Sequence, residues 1–229
     1  MTATQTGLAR FFRRGINFIR RPHLPRLFTT FFSVCRTVMG RGNQIEYRGS
    51  AVKNVRFKVN GNDNVVVFKE GSDISETEVL IFGDGHRLEI DGAARCRRSS
   101  FWLEGQGGSI SIGQGTTIEG AHLASTEGRS IRLGRDCMFA YGIEVRTGDS
   151  HSILDRSTGK RINAAQDVDI EDHTWLAVGV KVMKGVTIGT GSVVGTGSVV
   201  TKSIPANCLA VGVPARVTKT NIEWRREQL

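Results

Sequence analysis

From Ile170 to Val200 every sixth residue is a branched aliphatic: Ile170, Leu176, Val182, Ile188, Val194 and Val200. Two positions ahead of each stands a small or slim side chain: Val168, Thr174, Val180, Val186, Ser192 and Ser198. The most regular units read IGTGSV and VGTGSV. A period of six is neither the 3.6 of a helix nor the 2 of a simple strand. It is a hexapeptide repeat, in which three units make one triangular coil of parallel β-structure. The branched residue points into a narrow prism, the small residue fits beside it at the corner, and glycine or a polar residue makes the turn.

Upstream the same pattern is present but interrupted. Hexads begin at Ile112 and Ile118, and again at Leu133, Phe139 and Val145. The step from Ile118 to Leu133 is 15 residues, neither two hexads nor three, which predicts a small insertion near Ser125–Arg129. The step from Val145 to Ile170 is 25, one more than four hexads. The chain is therefore expected to leave the prism over about 147–165 and to return out of phase. Loops carried on rigid scaffolds are common seats of function. From Ile45 onward, VRFKV, NVVVF, VLIFG, HRLEID and SFWLEG alternate like strands, with GNDN, GSD and FGDG as turns. They are read as early, looser coils of the same solenoid. At the other end Pro205 and Pro214 bracket a last coil, and NIEWRREQL predicts a short C-terminal helix. The fold class is thus an all-β solenoid over 45–220, with a helical or irregular segment over 1–44 and a helix over 221–229.

Charge divides the chain. Residues 1–60 hold 12 Lys/Arg against one acid, Glu46, whereas the remainder holds 19 basic and 21 acidic residues. Within residues 1–41 eight arginines are interleaved with phenylalanines. RFFRRGINFIRR has the look of a basic amphipathic helix stopped by Pro22 and Pro25. Two readings stand for it. It caps the open end of the solenoid or joins subunits, or it docks on an anionic membrane surface. Nucleic-acid binding finds no support elsewhere in the chain. The four cysteines are scattered without metal-ligand spacing, as in a cytosolic protein with reduced thiols. No secretory signal and no continuous apolar stretch of membrane-spanning length is evident. The expected location is cytoplasmic, with the inner face of the membrane as the peripheral alternative.

DSHSILD, the loop after it, and DHTWLAVGVKVMKGVTIGTGSVVGTGSVVTKSIPANCLAVGVPARV together resemble the hexapeptide-repeat acetyl-CoA O-acetyltransferases. The likeness is nearest to bacterial enzymes of capsule and O-antigen polysaccharide, including polysialic acid, and covers roughly Ile112–Trp224. It implies a left-handed parallel β-helix that works as a homotrimer, with active sites in the clefts between neighbouring prisms. The acyl donor is then acetyl-CoA, no metal is needed, and the acceptor is a polysaccharide or its sugar precursor. His151 stands where the family keeps its catalytic base. Imidazole suits that task because its pKa lies near working pH. Asp149 and Glu144 are candidates to orient it. Trp175, one residue before an inward Leu176, is expected to point outward, and the resemblance places it at the acceptor end of the cleft. The resemblance further carries onto Val178 and Thr196 for the pantetheine arm, and onto Thr201, Lys202, Arg216 and Lys219 toward the CoA phosphates. The family often has glycine or serine at the position of Val178 and alanine at that of Thr196. Arg156, Lys160 and Arg161 on the excursion are candidates to meet an anionic glycan, or are simply solvated.

Other classes fit the sequence less well. A carbonic anhydrase on the same solenoid needs a His-x4-His pair, but His122, His151 and His173 are 29 and 22 residues apart. A non-catalytic binding solenoid would not need His151, Trp175 and the CoA-end motif together. An N-acetyltransferase acting on an amino sugar is the runner-up.

Overall fold

A computed structural model describes residues 34–228, and among these every regular element is a β-strand. The strands stack in parallel register as three faces of a prism. The first face carries Ser100–Gln106, Ala121–Thr126, Ile143–Arg146, Lys181–Val182 and Val199–Val200. The second, of seven strands, includes Ser109–Ile112, Ser130–Leu133 and Val168–Ile170. The third includes Thr117–Ile118, Met138–Phe139, Trp175–Leu176 and Val193–Val194. All six branched residues of the repeat and all six of their small companions are buried. Burial of such rows is what holds a solenoid together, since each coil meets only its neighbours.

The coils are not all one length. One circuit takes 18 residues from Asp169 to its partner Thr187, but 22 from Leu88 to Ile110. The additional residues lie at the corner between the first and second faces. There the first-face strands run on and add further inward side chains, Val59, Ile81 and Leu103, each at most 1% exposed. The N-terminal prism is correspondingly wider and takes Phe57, Phe68 and Phe101 in its core. The expected insertion at Ser125–Arg129 is therefore the last member of a stack of long corners. Gly83 turns one of them at φ 122°, and a Cβ there would overlap the Gly105 carbonyl of the next coil. His86, fully buried beneath this corner, accepts from Gly108 N–H at Nδ1 (3.0 Å) and donates from Nε2 to Gly105 O (3.1 Å). Its role is structural.

The expected helix over 10–21 lies outside the described residues. Val34–Met39 is a strand paired in parallel with the end of Ala51–Asn60, so coil structure begins ahead of the boundary expected at 44/45. The expected C-terminal helix is not formed. Cys208–Gly212 and Ala215–Thr220 make an antiparallel hairpin, and Asn221–Gln228 continues as an irregular strap. The physical reason is the spacing of Ile222 and Trp224, which suits an extended chain laid on a surface rather than a helix face. All four cysteines are free. Burial pushes the Cys96 thiol up, and that of Cys137 up to about 11. No helix among the described residues is long and apolar enough to cross a membrane.

Candidate active site

After Arg146 the chain leaves the prism and rejoins it at Val168. This excursion issues from the same corner that is extended in every coil above it. His151 lies at its root, just after Ser150, which adopts a positive φ of 65°. The His151 side chain is exposed, and its backbone is fixed from below. Asn163, 6% exposed, donates from Nδ2 to His151 O (2.7 Å) and to Asp149 Oδ2 (2.9 Å). Its Oδ1 accepts from Ile153 N–H (2.7 Å) and Arg161 Nε–H (3.2 Å). A buried amide with both ends engaged is a rigid clamp. Asn163 carries no motif signature, and sequence reasoning missed it.

The two carboxylates considered for orienting His151 are committed elsewhere in the single chain. Asp149 is ion-paired with Lys184 and bonded to Asn163. Its pKa is lowered by the Lys184 hydrogen bond, which outweighs partial desolvation. Glu144 pairs with Arg146 and, at 3.4 Å, with Lys181. Desolvation raises its pKa, and the Arg146 and Lys181 interactions more than offset that. Arg161 forms a two-pronged pair with Glu127 on the coil above, which anchors the loop. Arg156 and Lys160 are exposed near the loop tip. Asn163→Ala is expected to lower kcat by about 10–100-fold through misplacement of His151. The solenoid should be barely affected, its Tm shifting by less than about 3 °C because the lost bonds are local to the loop. Kinetics with a thermal melt check this; an unchanged kcat removes the clamp from the mechanism.

The loop tip depends on Asp155. Its carboxylate accepts from Ser157 Oγ–H, Thr158 N–H and Thr158 Oγ1–H, and these bonds hold its pKa down to about 2. A depressed carboxylate stabilises above its unfolded pKa and loses that contribution as pH falls through the folded value. The turn should therefore stay closed down to about pH 4 and loosen between about pH 4 and 2. Amide exchange at Ser157 and Thr158 across that range reads it out, and protection that is flat with pH would contradict it.

Trp175 is half-buried and faces outward on the third face, across the prism from the corner that bears His151. Its neighbour is the C-terminal strap. Trp224, 6% exposed, lies with its ring 5.9 Å from that of Trp175 and stacks on His173 at 4.1 Å. Trp224 Nε1–H donates to His173 O (2.8 Å). His173 Nδ1 faces Asp136 (2.7 Å), and Arg226 bonds Asp136, Thr117 and Cys137 O. Trp224→Ala should free the strap, so that trypsin cuts after Arg225 and Arg226 at least about tenfold faster while the solenoid stays folded. Equal cleavage rates would show that the strap is held some other way.

Val178 and Thr196 stack at the corner between the third and first faces, where Gly197 N–H donates to Val178 O (2.8 Å). Thr201 and Lys202 lie at the other edge of the first face, one coil below Lys184. Arg216 and Lys219 are exposed on the hairpin, opposite Val211 and Leu209. Among the described residues no carboxylate forms an ion pair with Lys202, Arg216 or Lys219. No group of three or more His, Cys, Asp or Glu among the described residues is placed to hold a metal ion.

Comparison with known proteins identifies the family. Residues 167–202 match the family described as bacterial transferase hexapeptide (six repeats). The chain is 33% identical over 190 residues to a polysialic acid O-acetyltransferase of Neisseria meningitidis, covering 82% of this chain and 88% of that protein. It is 45% identical over 121 residues to a polysialic acid O-acetyltransferase of Escherichia coli O1:K1 / APEC, covering 53% of this chain but only 39% of that protein's length. The crystal structure of the polySia-specific acetyltransferase NeuO superposes with a TM-score of 0.79 at 32% identity, covering 86% of this chain and 84% of that one. The polysialic acid O-acetyltransferase OatWY gives 0.69 at 30% identity, covering 86% and 92%. Fold and repeat thus define a hexapeptide-repeat acetyltransferase built as a left-handed parallel β-helix. The chain belongs to the family that contains these polysialic acid O-acetyltransferases.

Proposed function

We propose that the protein transfers an acetyl group from acetyl-CoA to a hydroxyl of an acidic cell-surface polysaccharide, with polysialic acid as the first acceptor to try. The observation that carries this reading is His151: an exposed imidazole on a clamped backbone, at the root of the one long excursion among the described residues, in a chain related over most of its length to polysialic acid O-acetyltransferases. In the reaction the acceptor oxygen attacks the thioester carbonyl while His151 takes the hydroxyl proton. The C–S bond then breaks, and His151 returns the proton to the departing thiolate. Each step is balanced without a covalent enzyme intermediate.

Because His151 and Trp175 lie across the prism from one another, one copy does not bring them together. A homotrimer that sets the His151 corner of one prism against the Trp175 face of the next completes the site. Val178 and Thr196 then line the pantetheine arm, and Lys202, Arg216 and Lys219 meet the phosphates. The basic segment over 1–44 serves membrane-surface association in this reading, where each basic residue near an anionic surface contributes about 1 kcal/mol. Product NMR after incubating acetyl-CoA with acidic and neutral polysaccharides tests the proposal. O-acetyl signals on an acidic glycan support it, whereas transfer only to an amine would replace it with N-acetylation.

A further inference from the structure

We propose that a hollow on the first face, one step from His151, is a second saccharide subsite, holding the sugar ring next along the acceptor chain from the one being acetylated. The inference rests on the acceptor being a polysaccharide. The hollow has a volume of about 240 Å³ and is lined by Trp102, Glu104, His122, Ala124, Thr126, Arg146, Gly148 and Ser150. Its shape follows from the register. Trp102, Ala124 and Arg146 are consecutive members of one outward column on three successive coils. A methyl group between two large side chains leaves a gap, and Ala124, 5% exposed, is its floor. The rim runs through Gly148 to Ser150, so the hollow is continuous with the root of the excursion.

The chemistry of the lining is that of carbohydrate recognition. Pyranose rings lay their C–H faces on aromatic rings and spend their hydroxyls on directional polar groups. Trp102 is a half-buried indole whose position is fixed. Phe82 packs against it at 4.9 Å, Lys58 sits over Phe82 at 5.3 Å, and the Trp102 Nε1–H donates to Glu104 (3.2 Å). His122 is half-buried, and its pKa is lowered by desolvation and by Arg146, against an opposing pull from Glu144. At neutral pH it therefore offers one donor and one acceptor to hydroxyls. Arg146, ion-paired with Glu144, is the cation of the lining and the group available to the carboxylate of an acidic sugar. The larger hollow of about 1070 Å³, which shares His122, is less suited to an acidic chain, since four carboxylates, Glu76, Glu78, Glu119 and Glu144, line it against the one cation Arg98, whereas the smaller hollow sets the single carboxylate Glu104, engaged by Trp102, against Arg146.

The test is direct binding, so that it stands apart from turnover. Polysialic acid of defined chain length, with dextran as the neutral control, is titrated into the His151→Ala protein and into the same protein also bearing Trp102→Ala or Ala124→Leu. The subsite predicts that either second change weakens binding of the long acidic chain at least about tenfold, while the monosaccharide is affected less than about twofold. Trp102→Phe, which keeps an aromatic face, should stay within about threefold. Thermal melts confirm that the variants remain folded. Equal losses for chain and monosaccharide, or no loss at all, would overturn the subsite, as would absence of any glycan binding. A change in oligomer mass on light scattering with glycan binding intact would assign the hollow to packing between copies instead. If glycan binding responds as predicted but the wild type acetylates no polysaccharide, the subsite stands and the proposed reaction falls.

Discussion

Replacing His151 by alanine is expected to lower kcat by about 10²–10⁴-fold, the usual contribution of a positioned general base. The change should be confined to the chemical step. The imidazole is exposed, and the loop is held through the His151 carbonyl, through Asn163, and through the pairs Asp149–Lys184 and Arg161–Glu127. None of these needs the imidazole. The variant should therefore keep its melting temperature, its oligomeric mass and its affinity for CoA. A loss smaller than about fivefold would move the base to another residue.

Phe101→Ala is expected to be the most damaging single truncation for stability, at about 3–5 kcal/mol. Phe101 is fully buried in the wide part of the prism, in register between Val79 and Leu123 on the coils either side. A solenoid offers no second layer to collapse into the cavity, and each coil is stabilised only by the two it touches. The loss should appear as a fall in Tm of roughly 6–20 °C for a chain of this size. Lys181→Ala, an outward change in the narrow part, should move Tm by only a degree or two, the weight of an exposed ion pair. Similar melts for the two variants would contradict the assignment of inward and outward rows.

The narrow part of the fold was legible because its side chains obey one period. Six inward aliphatics and six small companions at fixed spacing leave no other arrangement that buries both rows. The departure of the chain between Val145 and Ile170 was legible for the same reason, as a break in phase. The wide coils were not. Their extra inward residues, Ile81 and Leu103, extend a strand by two positions, and an alternation of two conceals a longer repeat. What looked like a single insertion at Ser125–Arg129 is a corner shared by several coils. At the site, Trp175 was correctly expected to face outward from its phase against Leu176. Its contact with Trp224 was hidden, because a strap returning across the prism depends on tertiary packing that no local pattern records. Asp149 is a neighbour of His151 in sequence, yet Lys184 from the following coil claims it. Hydrogen-bond allegiance is decided between coils, which is also why Asn163 gave no sign of itself.

In the proposed homotrimer His151 of one copy and Trp175 of the next form one working site, and mixed assemblies test this most directly. His151→Ala and Trp175→Ala proteins, each of low activity alone, are co-expressed in equal amounts, and the mixed assemblies are assayed for acetyl transfer to the polysaccharide. Random assortment in a cyclic trimer leaves about a quarter of the interfaces with both residues intact, so activity should recover to about a quarter of the wild-type value. Activity that stays at the level of the two parent variants would mean that both residues act within a single chain, and would contradict the shared site.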